Sequence, residues 1–379
     1  MARRAGALAV VVALGVGAWL LFRSGGESGD QPEIEAELSG PVSDLVSGMS
    51  IEDLVDQVLL LGFEGTDPSA PFIDELAERQ IGGIIVASEN WANATTGTRL
   101  IAALRSAAGK GERIEPLLVA SQEGGEYRAL RDLPPEQTEL LIGDADSVAG
   151  AERWATDTSA ALVDAGFDLN LFPVADVATL DSPVADRAFS DDAGAVSTFT
   201  AAALRGCRDE GLACAPLHFP GLGAASQDTS RGPATVSLDA ASLSSRDLEP
   251  FRAAFAEGAP AVVLSLAFYG AYDTITPGAL AAPVATGLLR DELGFDGAAI
   301  TDDLGSGAVR ATGTTAKAAV KALAAGSDML QIGSPQDQLG VREAILAAVE
   351  SGELSEERLA QAAGRVLELK RAQGLLELP

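Results

Sequence analysis

From about residue 41 onward, short apolar runs alternate with longer stretches in which apolar residues recur at helical spacing. The runs 57–63, 83–87, 116–120, 167–172, 213–217, 261–266, 298–301 and 328–332 are continuous and apolar, as expected of strands buried on both faces. Helical periodicity fills the intervals at 72–79, 95–108, 148–165, 193–210, 248–256, 284–293 and 315–325, and two more helices follow at 338–349 and 355–372. Ser50 followed by Asp53 has the form of a capping box that opens a short helix ahead of the first strand. This alternation predicts an α/β chain, a single (β/α)8 TIM-type barrel over residues 41–379. A doubly wound sheet would carry a glycine-rich phosphate turn after its first strand, and none follows 57–63.

The N-terminus has a different pattern. Arg3 and Arg4 precede an uncharged run at 5–22, and Arg23 then opens a Gly/Ser/acidic stretch to about residue 40. The run has about the length needed to cross a bilayer, and no evident cleavage site or lipid-accepting Cys follows it. Residues 1–24 therefore read as a signal anchor or transmembrane segment and 25–40 as a polar linker. The arginines stay inside, placing the barrel on the outer side of the cell membrane, or free of it if the segment is cleaved.

Composition narrows the partners. Against 55 acidic residues stand 26 basic ones, for a formal net charge of −29, which repels phosphate backbones and excludes a nucleic-acid role. Cys207 and Cys214 are the only cysteines. One falls in a predicted helix and the other in the next strand, so two buried free thiols are expected, with a disulfide as the alternative.

Chemistry in a barrel of this kind sits beyond the C-terminal ends of the strands. Asp302 and Asp303 follow 298–301. His218 and the turn Phe219-Pro220-Gly221-Leu222-Gly223 follow 213–217. Ser121, Gln122 and Glu123 follow 116–120, and Asp186-Arg187 lie beyond 167–172. Taken alone, Asp302 reads as a cap on the following helix before it reads as a catalytic carboxylate. Asp302, Asp303 and Asp228 as a hard-cation site is a third reading, but spacing shows no converging oxygens, so neither metal nor cofactor is expected.

The order of motifs is more specific. Gln57-Val58-Leu59-Leu60-Leu61-Gly62-Phe63, Ile81-Gly82-Gly83-Ile84-Ile85, Gln122-Glu123-Gly124-Gly125 and Asp168-Leu169-Asn170 come first. Pro173-Val174-Ala175-Asp176-Val177, His218-Phe219-Pro220-Gly221, Leu293-Gly294-Phe295-Asp296-Gly297 and Thr301-Asp302-Asp303-Leu304 follow. In this sequence they resemble glycoside hydrolase family 3, in its β-N-acetylhexosaminidase branch. The resemblance implies a retaining glycosidase whose nucleophile is Asp302, acting on terminal β-N-acetylglucosamine of cell-wall glycans. It also implies sugar contacts from Arg187, with an ion pair to Asp186 or Asp302 as the alternative. For His218, a ligand contact stands beside a satisfied core histidine. Asp303 reads as a cap or supporting partner, and Glu123 as a structural hydrogen-bonding group in the barrel mouth.

Several positions depart from that pattern. The family's Asp-Ser-His element matches Asp228-Thr229-Ser230, so the histidine that protonates the leaving oxygen is a serine here. A hydroxyl is far too weak an acid for that task. Leu217, Leu222 and Leu266 stand where the family has Lys, His and His, and Ser121 where it has Asp. An expected Arg aligns with Ala129, next to Arg128. Asp228 is then the candidate replacement acid, if burial raises its pKa. The expected partners are a glycan and, through the N-terminal segment, a membrane. The alternative function is a degenerate barrel that binds glycan or a protein without turnover.

Overall fold

The computed structural model describes residues 38–67, 71–109 and 113–378. Ser50 caps the helix Ile51–Gln57, its hydroxyl accepting from the Asp53 N–H, as the sequence predicts. The strands that follow are β1 (Leu59–Leu61), β2 (Gly83–Ile85), β3 (Leu117–Ala120), β4 (Leu169–Val174) and β5 (Ala213–Leu217). β6 (Thr235–Val236), β7 (Ala261–Leu264), β8 (Phe268–Tyr269), β9 (Asp273–Pro277), β10 (Ala298–Thr301) and β11 (Leu330–Ile332) complete the set.

Six strands form one curled parallel sheet in the order β11-β1-β2-β3-β4-β5, and β10 pairs with β7 in a second parallel sheet. Alternation along each strand divides the core into two layers. Leu60, Leu117, Val119, Leu169 and Ile300 face the concave interior, while Leu59, Leu61, Leu118 and Ala299 pack against the surrounding helices.

The expected closed eight-stranded barrel is not what these strands make. The two sheets meet only at isolated bridges, Phe219 with Leu264 and Ile300 with Met329. The reason is local. Pro216 and Pro220 have no N–H to continue a ladder from β5, and the His218 N–H goes to the Asp176 carboxylate at 3.3 Å. At the other joint the Ala299 N–H is taken by the side chain of Asp328, at 2.9 Å. The short sheet β6-β8-β9, absent from the sequence expectation, forms where the chain turns back between β8 and β9, the Tyr272 N–H donating to Tyr269 O at 2.9 Å.

The membrane-anchored architecture gains no support. Among the described residues no helix is long and apolar enough to cross a membrane, and the apolar run at 5–22 lies outside them. The free-thiol expectation is also overturned. Cys207 and Cys214 form a disulfide, S–S 2.05 Å, with Cα atoms 6.2 Å apart. The helix Ala193–Asp209 ends beside the start of β5, which brings the two Cα atoms within bonding range.

Candidate active site

The residues with chemical potential come from loops at the C-terminal ends of β3, β4, β5 and β10. Asp302 directly follows β10, its own N–H donating to Leu264 O at 3.0 Å, so the strand pair sets its position. Its Oδ1 accepts from the Asp303 N–H at 2.8 Å, and its Oδ2 faces the Thr229 hydroxyl at 3.4 Å. Asp303 turns away to accept from the Gly305 and Gly333 N–H groups at 2.8 and 3.2 Å, bracing the loops after β10 and β11. That is the supporting role expected of it.

Arg187 lies in the loop after β4 and makes a two-pronged ion pair with Glu123, both contacts at 2.7 Å. Sequence reasoning offered Asp186 or Asp302 as its partner. Glu123 takes the place because the Gly124–Gly125 turn, with φ of +124° and +56°, folds the chain back directly after it. The guanidinium also stacks on the Tyr127 ring, 5.4 Å from its centroid. Tyr127, Ser121, Arg128, Asp303 and Gln331 line an adjoining cleft of about 530 Å³.

His218 is buried at the end of β5. Its Nε2 lies 3.4 Å from Arg187 Nη2 and its Nδ1 2.8 Å from Asp176 Oδ2. A guanidinium only donates, so Nε2 is the acceptor and the ring proton sits on Nδ1, shared with Asp176. Asp176, fully buried, also accepts from the Leu222 N–H at 2.6 Å. Sequence reasoning assigned Asp176 no role, although its place just past β4 was a legible signal.

The loop carrying Asp228, Thr229 and Ser230 is docked beside Asp302. Ala308 N–H donates to Thr229 O at 3.0 Å and Gly307 N–H to Ser230 O at 3.1 Å. A Cβ on residue 307 would come within 2.7 Å of that Ser230 oxygen, so only glycine permits the approach. Burial pushes the Asp228 carboxyl up, but hydrogen bonds from Ser230 and the charge of Arg187 outweigh it. The result is a carboxyl held below the usual range, with the Ser230 N–H at 2.8 Å. In this position Asp228 is ionised at neutral pH, the opposite of the raised pKa that a replacement acid needs.

Of the positions that depart from the family pattern, Leu217, Leu222 and Leu266 are buried in apolar core. Beside Gly221, Asp247 is fully buried, and neither carboxyl oxygen has a hydrogen-bond partner. Its nearest cation is Arg246, at 3.6 Å. Burial lifts its pKa to about 7, against the pull of Arg246 and with some help from the charge of Asp176. Between about pH 4 and 7 the unfolded chain loses this proton while the folded protein keeps it, so stability falls as pH rises through that window. Asp247→Asn is expected to leave stability at pH 4 nearly unchanged and to raise it at pH 8 by about 2–4 kcal/mol, measured by urea denaturation. An equal shift at both pH values would exclude ionisation as the cause.

Comparison with known proteins agrees with this geometry. A β-hexosaminidase of Stenotrophomonas maltophilia (strain K279a) is 32% identical over 286 residues, covering 74% of this chain and 84% of that one. A β-hexosaminidase of Xylella fastidiosa (strain M12) is 33% identical over 291 residues, with the same coverage. Among solved structures, a family 3 β-N-acetylglucosaminidase of Paenibacillus sp. str. FPU-7 superposes with a TM-score of 0.83 at 30% identity. It matches 87% of this chain, which spans 65% of that longer protein. A β-N-acetylhexosaminidase of Beutenbergia cavernae DSM 12333 matches with a TM-score of 0.77 at 27% identity, covering 86% of this chain and 99% of that one. Residues 50–369 match the model of the glycosyl hydrolase family 3 N-terminal domain, and the chain belongs to that family of glycoside hydrolases.

Proposed function

We propose that this glycoside hydrolase removes terminal β-linked N-acetylglucosamine by a retaining mechanism in which Asp302 is the nucleophile. The observation that carries the reading is the placement of Asp302 on a rigid strand end, braced by the Asp303 N–H and beside the Thr229 hydroxyl. A carboxylate so held needs no reorganisation to meet an oxocarbenium-like centre. Arg187, held by Glu123 and by the Nε2 acceptor of His218, supplies a donor for sugar hydroxyls. The names of the β-hexosaminidase relatives support the choice of sugar.

A cell-wall glycan outside the cytoplasm is the natural source of that sugar, and the Cys207–Cys214 disulfide favours a non-reducing compartment. The test is trapping. A fluorinated N-acetylglucosaminyl donor is expected to add one sugar to the protein, with the label on the peptide containing Asp302. A label on another carboxylate would reassign the nucleophile. No label and no turnover would leave a glycan-binding protein, the reading favoured by the apolar burial of Leu217, Leu222 and Leu266.

A further inference from the structure

The two chemical steps of a retaining glycosidase make opposite demands on one group, an acid for departure of the aglycone and a base for the entry of water. The described residues around Asp302 meet these demands unequally. Ser230 is too weak an acid, and His218 presents its Nε2 as an acceptor beside Arg187. Glu123 is occupied by both prongs of Arg187, and Asp176 by His218 and Leu222. Asp228 stands on the loop docked next to Asp302, one oxygen taken by the Ser230 N–H.

We infer that this site releases only weakly basic leaving oxygens, as in a phenolic glycoside, without protonating them, and that Asp228 serves as the base for the second step. This deepens the proposed function and rests on Asp302 as nucleophile. In the first step an Asp302 oxygen bonds to the anomeric carbon while the bond to the leaving oxygen breaks, and that oxygen departs with the electron pair as an anion. In the second, water attacks the same carbon, its proton passes to Asp228, and the bond to Asp302 breaks with the pair returning to the carboxylate. Asp228 can take that proton because its loop is docked beside Asp302 and it is already ionised. It has no proton of its own to deliver, and its lowered pKa makes it a weak base that hands the proton on to solvent readily.

The experiment compares dinitrophenyl, nitrophenyl, phenyl and methyl β-N-acetylglucosaminides. The rate of the first step is expected to fall by at least about 10² from dinitrophenyl to phenyl, the scale of the missing acid assistance. Ser230→His, which would place an imidazole next to Asp228, is expected to restore about 10²–10⁴ on the phenyl and methyl substrates and little on dinitrophenyl. Asp228→Ala and Asp228→Asn are expected to slow turnover of the dinitrophenyl substrate after a burst, with azide restoring the rate and giving a glycosyl azide. A merely structural role for Asp228 would show no azide rescue. Rates independent of the leaving group, together with trapping on Asp302, would overturn the inference and keep the nucleophile. Absence of trapping would overturn the nucleophile and the inference with it.

Discussion

Asp302→Asn is expected to lower kcat on an aryl β-N-acetylglucosaminide by at least about 10³-fold, the scale seen when a nucleophile or charge-stabilising group is removed. The amide is nearly isosteric, so its oxygen still accepts from the Asp303 N–H, and the Thr229 hydroxyl keeps a neighbour. What is lost is the negative charge, which in the proposed mechanism makes the attack and offsets the oxocarbenium-like transition state. The fold and the melting temperature should therefore stay near those of the parent. Turnover within tenfold of the parent would move the chemistry to another carboxyl, with Asp303, raised by burial next door, the first to examine.

The largest expected effect on stability lies at the opposite end of the strands, where Asp328 precedes β11. Asp328 is fully buried, and it is the one carboxylate shared by Arg290, Arg358 and Arg365, at 2.6, 2.9 and 3.2 Å. Burial pushes its carboxyl up, but the three guanidinium groups pull harder and hold it below the usual range. Asp328→Ala leaves three buried cations without a counter-charge, which is expected to cost about 3–5 kcal/mol. Against a typical total of about 5–15 kcal/mol, that is enough to shift the urea midpoint strongly or to prevent folding. The margin is narrow because Arg290 Nε, Arg358 Nη1 and Arg365 Nε already lack partners. The same network gives a sign for acid: its stabilisation is present above the unfolded carboxyl pKa and is lost as pH falls through the depressed folded value. An unchanged midpoint in Asp328→Ala would mean that these arginines find other acceptors.

Much of the architecture was legible along the chain because parallel strands buried on both faces must be written as continuous apolar runs. All eight of those runs became strands, and the helices between them lie close to where the periodicity put them. The ends and the joints were less legible. Whether two neighbouring strands share a ladder depends on where individual N–H groups go, and the claims of Asp176 and Asp328 on His218 and Ala299 are contacts between residues 42 and 29 positions apart.

The site divides in the same way. Asp302, Arg187, His218 and Asp228 were readable as candidates, because strand ends and family motifs mark them in one dimension. Their roles were not readable, since a role depends on what lies opposite. Glu123 became the partner of Arg187 across 64 residues, and the disulfide closed because a helix end and a strand start converge. Asp228, expected to be lifted by burial, is instead held down by Ser230 and Arg187. The sequence by itself determined the order of strands, the loops that carry the chemistry and the loss of a histidine at residue 230. Only the tertiary structure decided which charges face each other, because electrostatic energy depends on separation in space and not along the chain.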